Sequence, residues 1–170
     1  MYKITTSLLQ EMVQAAATRL GKQAEYVNSL NVFPVPDGDT GTNMSLTILN
    51  GISEVTKSGS ESLSTVAKIF SRGLLMGARG NSGVILSQIF RGFAQYAKDK
   101  EELTVKEFSE ALMNGSKMAY KAVMRPTEGT ILTVVRESAE YGEIFINDHP
   151  EASMEEFVNY IADEANASLQ

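Results

Sequence analysis

Cysteine is absent from this 170-residue chain, histidine occurs once and proline four times. Without cysteine there are no disulfide staples, no thiolate metal ligands and no cysteine nucleophile. The one histidine, His149, sits in the polar turn Asn147-Asp148-His149-Pro150. That is a solvated loop rather than a catalytic position, and nucleophilic triads have no support. No apolar run approaches the roughly 18 residues that span a bilayer, and the first residues do not have the basic-then-apolar order of a signal peptide. Together with the cysteine usage, these absences point to a cytoplasmic location. Base is scarcer than acid: 15 Lys and Arg face 21 Asp and Glu, for a formal charge of −6. A body of that sign does not suit nonspecific contact with a phosphate backbone, so nucleic acid is not an expected partner.

What is present is the composition of one folded domain, with 43% hydrophobic and 21% charged residues, and disorder is excluded. The dominant period is helical. Leu9, Met12, Val13, Ala16 and Leu20 recur at three- and four-residue steps, as do Val105, Phe108, Leu112, Gly115, Ala119 and Ala122. Similar stripes run from Leu63 to Leu74 and from Ile85 to Tyr96. Pro34, Pro36, Pro126 and Pro150 fall between such segments, where a missing N–H does least harm. The pattern predicts helices at about 5–28, 43–57, 62–77, 82–98, 104–123, 128–145 and 152–168, an all-α bundle of about seven to eight helices with no strand pair. Ile131 to Val135 is β-branched enough for either state, and the helical reading joins it to the segment that follows.

Three strings carry chemistry. The first is Asn31-Val-Phe-Pro-Val-Pro-Asp37-Gly-Asp39-Thr-Gly-Thr-Asn43-Met44. In an extended loop Asp37 and Asp39, two apart, face one side. Hard carboxylate oxygens suit Mg²⁺, which takes one or two protein carboxylates plus phosphate oxygens and water, and Asn31 adds a neutral amide oxygen. A helix starting near Asn43 would aim free N–H groups and the positive end of its dipole at an anion beside the metals. The alternative is a surface turn with an Asx or threonine cap, which uses the same residues.

The second string, Gly73-Leu-Leu-Met76-Gly77-Ala-Arg79-Gly80-Asn81-Ser82-Gly83, closes one helix and opens another. Its glycines would bring bare backbone amides to a helix start as a phosphate cradle, with Asn81 or Ser82 able to cap; plain helix-loop-helix punctuation is the competing reading. It is no Walker A loop, because no Lys-Ser/Thr follows the last glycine. The third string, Met124-Arg125-Pro126-Thr127-Glu128-Gly129-Thr130-Ile131-Leu132-Thr133, opens a further helix. Arg79 and Arg125 could neutralise phosphate charge or serve as surface ion-pair partners, and Met76 and Met124 could flank an adenine or fill the core.

Together these strings resemble the nucleotide-binding domain shared by the dihydroxyacetone kinase L subunit and the N-terminal part of the ATP-binding chain of fatty acid kinase. Residues 30–44, 73–93 and 119–134 look most like the second of these, and cover about a third of the chain in the same order. The resemblance implies a barrel-like antiparallel helical bundle that binds ATP or ADP and two Mg²⁺ at one end. It implies Asp37 and Asp39 as the catalytic, metal-holding residues, with Asn31 nearest to a third ligand. Thr40, Gly41, Thr42, Asn43, Gly80, Asn81, Ser82 and Gly83 fall at phosphate-contacting positions, and Gly129 and Thr130 line the nucleotide pocket.

The activity implied is transfer of the γ-phosphoryl of ATP to a fatty acid carboxylate presented by a separate fatty-acid-binding partner protein. Alternatives are a dihydroxyacetone-type phosphotransfer subunit and a non-catalytic nucleotide sensor. The chain is expected to be an N-terminal fragment of a longer kinase that is able to form a homodimer. The resemblance implies that C-terminal regions beyond Gln170 receive the acyl-binding partner, and that a glycine-rich segment of the nucleotide domain is expected to follow. The fragment alone is not expected to turn over substrate.

Overall fold

The computed structural model describes residues 1–32 and 35–170, and Phe33 and Pro34 of the first string lie outside the described residues. Seven helices dominate them: α1 (Thr6–Ser29), α2 (Thr40–Ser58), α3 (Leu63–Met76), α4 (Gly80–Tyr96), α5 (Val105–Ala122), α6 (Ile131–Asp148) and α7 (Met154–Ser168). Five of these begin at a Ser or Thr whose hydroxyl accepts an N–H from the first turn: Thr5, Ser62, Thr104, Thr130 and Ser153. Ser153 adds a full capping box, because Glu156 reaches back to its N–H at 2.7 Å. The stretch 131–135 is helical, as its continuation to Tyr141 requires.

One feature departs from the all-helical expectation. Lys3–Ile4 (β1) pairs antiparallel with Leu103–Thr104 (β2), Ile4 opposite Leu103. Two-residue strands are too short to show an alternating pattern. They form because Ile4 and Leu103, both fully buried, plug one end of the bundle.

Successive helices run antiparallel. Asn50 of α2 donates to the Gly73 carbonyl of α3 at 2.6 Å, Asn114 of α5 to the Gly92 carbonyl of α4 at 2.6 Å, and Arg136 of α6 to the Tyr120 hydroxyl of α5 at 3.1 Å. Phe145 of α6 stacks on Tyr160 of α7 at 4.3 Å. An aromatic chain Phe70–Phe90–Phe93–Phe108–Phe157, mostly edge-to-face with centroids 4.9–6.4 Å apart, links α3, α4, α5 and α7 through the core. The alternation places the α1–α2 loop, the α3–α4 turn and the α5–α6 loop at one end. The β1–β2 ladder closes the other end.

Candidate functional site

The first string is wound differently from its sequence expectation. Helix α2 begins at Thr40, three residues before the expected start at Asn43, and the Asn43 N–H is already spent on the Asp39 carbonyl at 2.8 Å. Among the described residues the free amides are therefore those of Thr40 and Gly41, one turn earlier. Two features allow the early start. Gly41 lies against the Ala24 backbone of α1, where any side chain would collide. Asn28, on the last turn of α1, takes the Thr42 N–H on its Oδ1 at 3.0 Å and donates its Nδ2 to Thr42 Oγ1 at 2.9 Å. A residue from another helix thus does part of the capping.

Asp39 occupies the N-cap position of α2 without its side chain capping, and Asp37, Gly38 and Asp39 are exposed. Asn31 ties the loop together. Its Nδ2 donates to Asp37 Oδ1 at 2.6 Å and to the Val35 carbonyl at 3.1 Å, while its Oδ1 accepts the Thr40 hydroxyl. The oxygen expected to face a metal is engaged within the loop, so the geometry gives Asn31 the part of fixing Asp37. Among the described residues no three His, Cys, Asp or Glu side chains converge. A hard cation held by Asp37 and Asp39 would complete its shell with phosphate oxygens and water, as Mg²⁺ usually does.

The second string meets the first directly. Helix α4 starts at Gly80 with Arg79 at the N-cap position, and neither Asn81 nor Ser82 caps it. Gly80 has φ +66° and packs so closely on Asn43 that a Cβ would lie 2.7 Å from its amide nitrogen. Fully buried Thr47 joins the two helix starts: it donates to the Asn43 carbonyl at 2.7 Å and accepts the Arg79 N–H at 3.1 Å. A Cβ at Gly83 would fall 2.6 Å from Thr47 Oγ1, so the need for glycine at this buried position comes from packing between α2 and α4. Its N–H is bonded to the Arg79 carbonyl at 3.2 Å. Of the seven helices, α2 and α4 alone have no cap bond from the side chain of their own N-cap residue, and their first turns touch.

The third string lies at the same end and is organised by its own contacts. Gly129, at φ +80°, donates its N–H to Thr133 Oγ1 at 2.8 Å, and the Thr130 hydroxyl bonds the Thr127 carbonyl at 2.7 Å. Glu128 accepts the Thr133 hydroxyl at 2.6 Å and an Arg136 N–H at 3.1 Å; these bonds hold its carboxyl below the ordinary carboxylate range. The structure brings the first two strings into contact and leaves the third as a separately braced loop. Met76 and Met124 are 75% and 98% exposed, which excludes core filling. Arg79 and Arg125 are without a carboxylate partner among the described residues, which excludes the ion-pair reading there. His149 lies at the C-terminal end of α6, away from the site, with its ring against Phe145.

Sequence reasoning missed Asn28 and Thr47. Asn28 bonds Thr42 across the loop between α1 and α2, so no local spacing signalled it.

The sequence model of the DAK2 domain matches residues 34–170. The chain belongs to the DAK2-domain family. These domains are dihydroxyacetone kinase L-subunit-like and kinase-related. The chain is 53% identical over 138 residues to an uncharacterized protein of Staphylococcus epidermidis, covering 81% of this chain and 25% of that protein. It is 49% identical to Protein YloV of Bacillus subtilis, covering 94% of this chain and 28% of that protein. An uncharacterized protein of Staphylococcus aureus strain USA300 is 47% identical over 99% of this chain and 30% of its own length. The chain thus spans between a quarter and a third of the length of these curated relatives. No helix among the described residues is long and apolar enough to cross a membrane.

Proposed function

We propose that the chain is the Mg·ATP-binding domain of a cytoplasmic kinase that phosphorylates the carboxylate of a fatty acid, presented by a separate acyl-binding protein, to give an acyl phosphate. The observation that supports this most is the meeting of two helix starts, neither capped by its own N-cap side chain, beside two exposed carboxylates. Unsatisfied N–H groups and the positive ends of two dipoles favour a polyanion there. Asp37 and Asp39 would hold two Mg²⁺ against it, with Asn31 orienting Asp37. When bound, the cations supply charge neutralisation across the phosphates.

The amides of Thr40, Gly41, Gly80, Asn81 and Ser82 act on the phosphate oxygens. Gly83 and Asn43 set the spacing of the two helix starts, and Gly129 and Thr130 border the nucleotide from the α5–α6 loop. Pre-fixed amides stabilise developing charge without rearranging. A carboxylate acceptor is already ionised at neutral pH, so the transfer needs no general base, consistent with the only histidine lying elsewhere. The acyl-binding partner docks through the rest of the full-length protein, which is able to form a homodimer.

DAK2 membership also favours a second reading, a dihydroxyacetone-type phosphotransfer subunit. Against it stands Thr40, at a position where the resemblance implies a histidine for that type. The full-length protein with ATP, Mg²⁺ and acyl-loaded partner should yield acyl phosphate. Asp37→Asn or Asp39→Asn should abolish the product while leaving thermal stability within about 0.5 kcal/mol, as expected for exposed loop positions. Phosphate passing to dihydroxyacetone instead would favour the second reading. Nucleotide binding with no transfer to either acceptor would leave a sensor.

A further inference from the structure

The hydrogen bonds around Thr40 and Thr42 fix the direction in which each hydroxyl proton points. The amide of Asn31 has only one possible orientation. One end faces the Val35 carbonyl and the Asp37 carboxylate, both acceptors, so that end is the NH₂ group. The other end is the oxygen, which only accepts, and the Thr40 hydroxyl must donate to it. Its proton spent, Thr40 has only lone pairs left to offer. At Asn28 the same reasoning gives the opposite result. One end faces the Thr42 N–H, a donor, so that end is the oxygen. The NH₂ group therefore faces Thr42 Oγ1, which accepts and keeps its own proton, and no acceptor among the described residues takes that proton.

We propose that the two threonines have opposite duties at the nucleotide site. Thr42 donates its hydroxyl proton to a phosphate oxygen, Thr40 presents its oxygen to the divalent cation, and Asn28 and Asn31 are the positioning residues that set this polarity. The inference rests on the nucleotide site proposed above and assigns roles within it. A hydroxyl oxygen on Mg²⁺ is established chemistry for the Ser/Thr of phosphate-binding loops. A neutral donor to a charged phosphate oxygen belongs to the stronger class of hydrogen bond. Thr40 thereby takes the neutral-ligand place that the sequence offered to Asn31.

Calorimetric titration of the full-length protein with ADP, with and without Mg²⁺, tests this. Thr42→Val should weaken ADP about tenfold or more in both conditions, the loss of one hydrogen bond to a charged group. Thr40→Val should leave metal-free ADP unchanged and raise the Mg²⁺ concentration needed for half-saturation. Asn28→Asp removes the NH₂ donor, so the Thr42 hydroxyl turns to the new carboxylate and shows lone pairs to the phosphate. The added charge also repels ADP directly, and a double-mutant cycle separates the two effects. Asn28→Asp should cost several-fold less in the Thr42→Val background than in wild type. Melting curves on the same samples identify any variant that has lost its fold. Should Thr42→Val itself unfold, Thr42→Ser with wild-type affinity supports the donor role, and Thr42→Ser with tenfold weaker binding contradicts it. Equal effects of both Val substitutions on metal-free and metal-bound ADP, or an additive cycle, overturn the assignment while leaving the nucleotide site intact. A wild-type protein that binds no Mg·ADP overturns the site, and this inference with it.

Discussion

Gly83 shows how a buried contact reverses the usual ranking of side chains in a helix. Alanine is preferred to glycine in a helix interior by about 0.5–1 kcal/mol. Here a methyl group would sit 2.6 Å from Thr47 Oγ1, and that oxygen is held by the Asn43 carbonyl and the Arg79 N–H. It has no free direction in which to move. Overpacking of this kind costs about 1–3 kcal/mol, so Gly83→Ala should lower stability in urea denaturation. A more stable variant would show that Thr47 yields easily. Tyr96 carries a second prediction. Burial, followed by its hydrogen bond to Glu110, pushes its phenol up to about 12. Because the folded value lies above the unfolded one of about 10, the neutral phenol contributes stability that is complete below that value and is lost as pH rises through about 12. In an alkaline titration followed by tyrosinate absorbance, one of the six tyrosines should ionise last, together with unfolding. In Tyr96→Phe that late step should vanish.

The capping pattern separates elements made for stability from elements made for ligands. Each of the five hydroxyl-capped helices takes up a first-turn N–H with its own N-cap side chain, whereas α2 and α4, whose starts meet, do not. Arg79 stands at the α4 N-cap position with φ −124° and ψ 129°, the extended geometry in which a serine side chain caps. Arg79→Ser should therefore stabilise the domain by about 0.5–2 kcal/mol and weaken nucleotide binding, since it occupies an amide and removes a cation. Gain in both stability and affinity would separate the bare helix start from phosphate binding. Helices were legible because each carries an apolar stripe long enough to count. Their ends were less so: α2 and α6 begin three residues from their expected starts, α2 because Asn28 and Gly41 bring in a partner helix and a close crossing. The two carboxylates and the glycine-rich turn stood out as strings. Nothing local in the sequence told that Gly83 serves packing, that Asn31 faces inward to Asp37 and Thr40, or that Ile4 pairs with Leu103. Each depends on a residue far away in the chain or on the winding of the loop.

The antiparallel order collects three helix-start loops at one end of an acidic body, and the −6 charge makes the electrostatics of that end decisive. Asp37 and Asp39 are exposed beside the bare starts of α2 and α4. The same few ångströms therefore contain groups that attract a polyphosphate and groups that repel it, and a divalent cation between carboxylate and phosphate turns repulsion into attraction. Two consequences of opposite sign follow. Chelating the metal with EDTA should weaken ATP binding to the wild-type protein by about tenfold or more, from charge pairs a few ångströms apart in water. Replacing a carboxylate by an isosteric amide, in Asp37→Asn or Asp39→Asn, should weaken Mg·ATP but strengthen metal-free ATP, because the repulsion is removed along with the ligand. Titrations of wild type and variant under both conditions would cross over. If the amide variants lose affinity equally in Mg²⁺ and in EDTA, the carboxylates hold the loop in shape rather than holding a cation. If EDTA leaves wild-type affinity undiminished, the metal does not stand between Asp37, Asp39 and the phosphates.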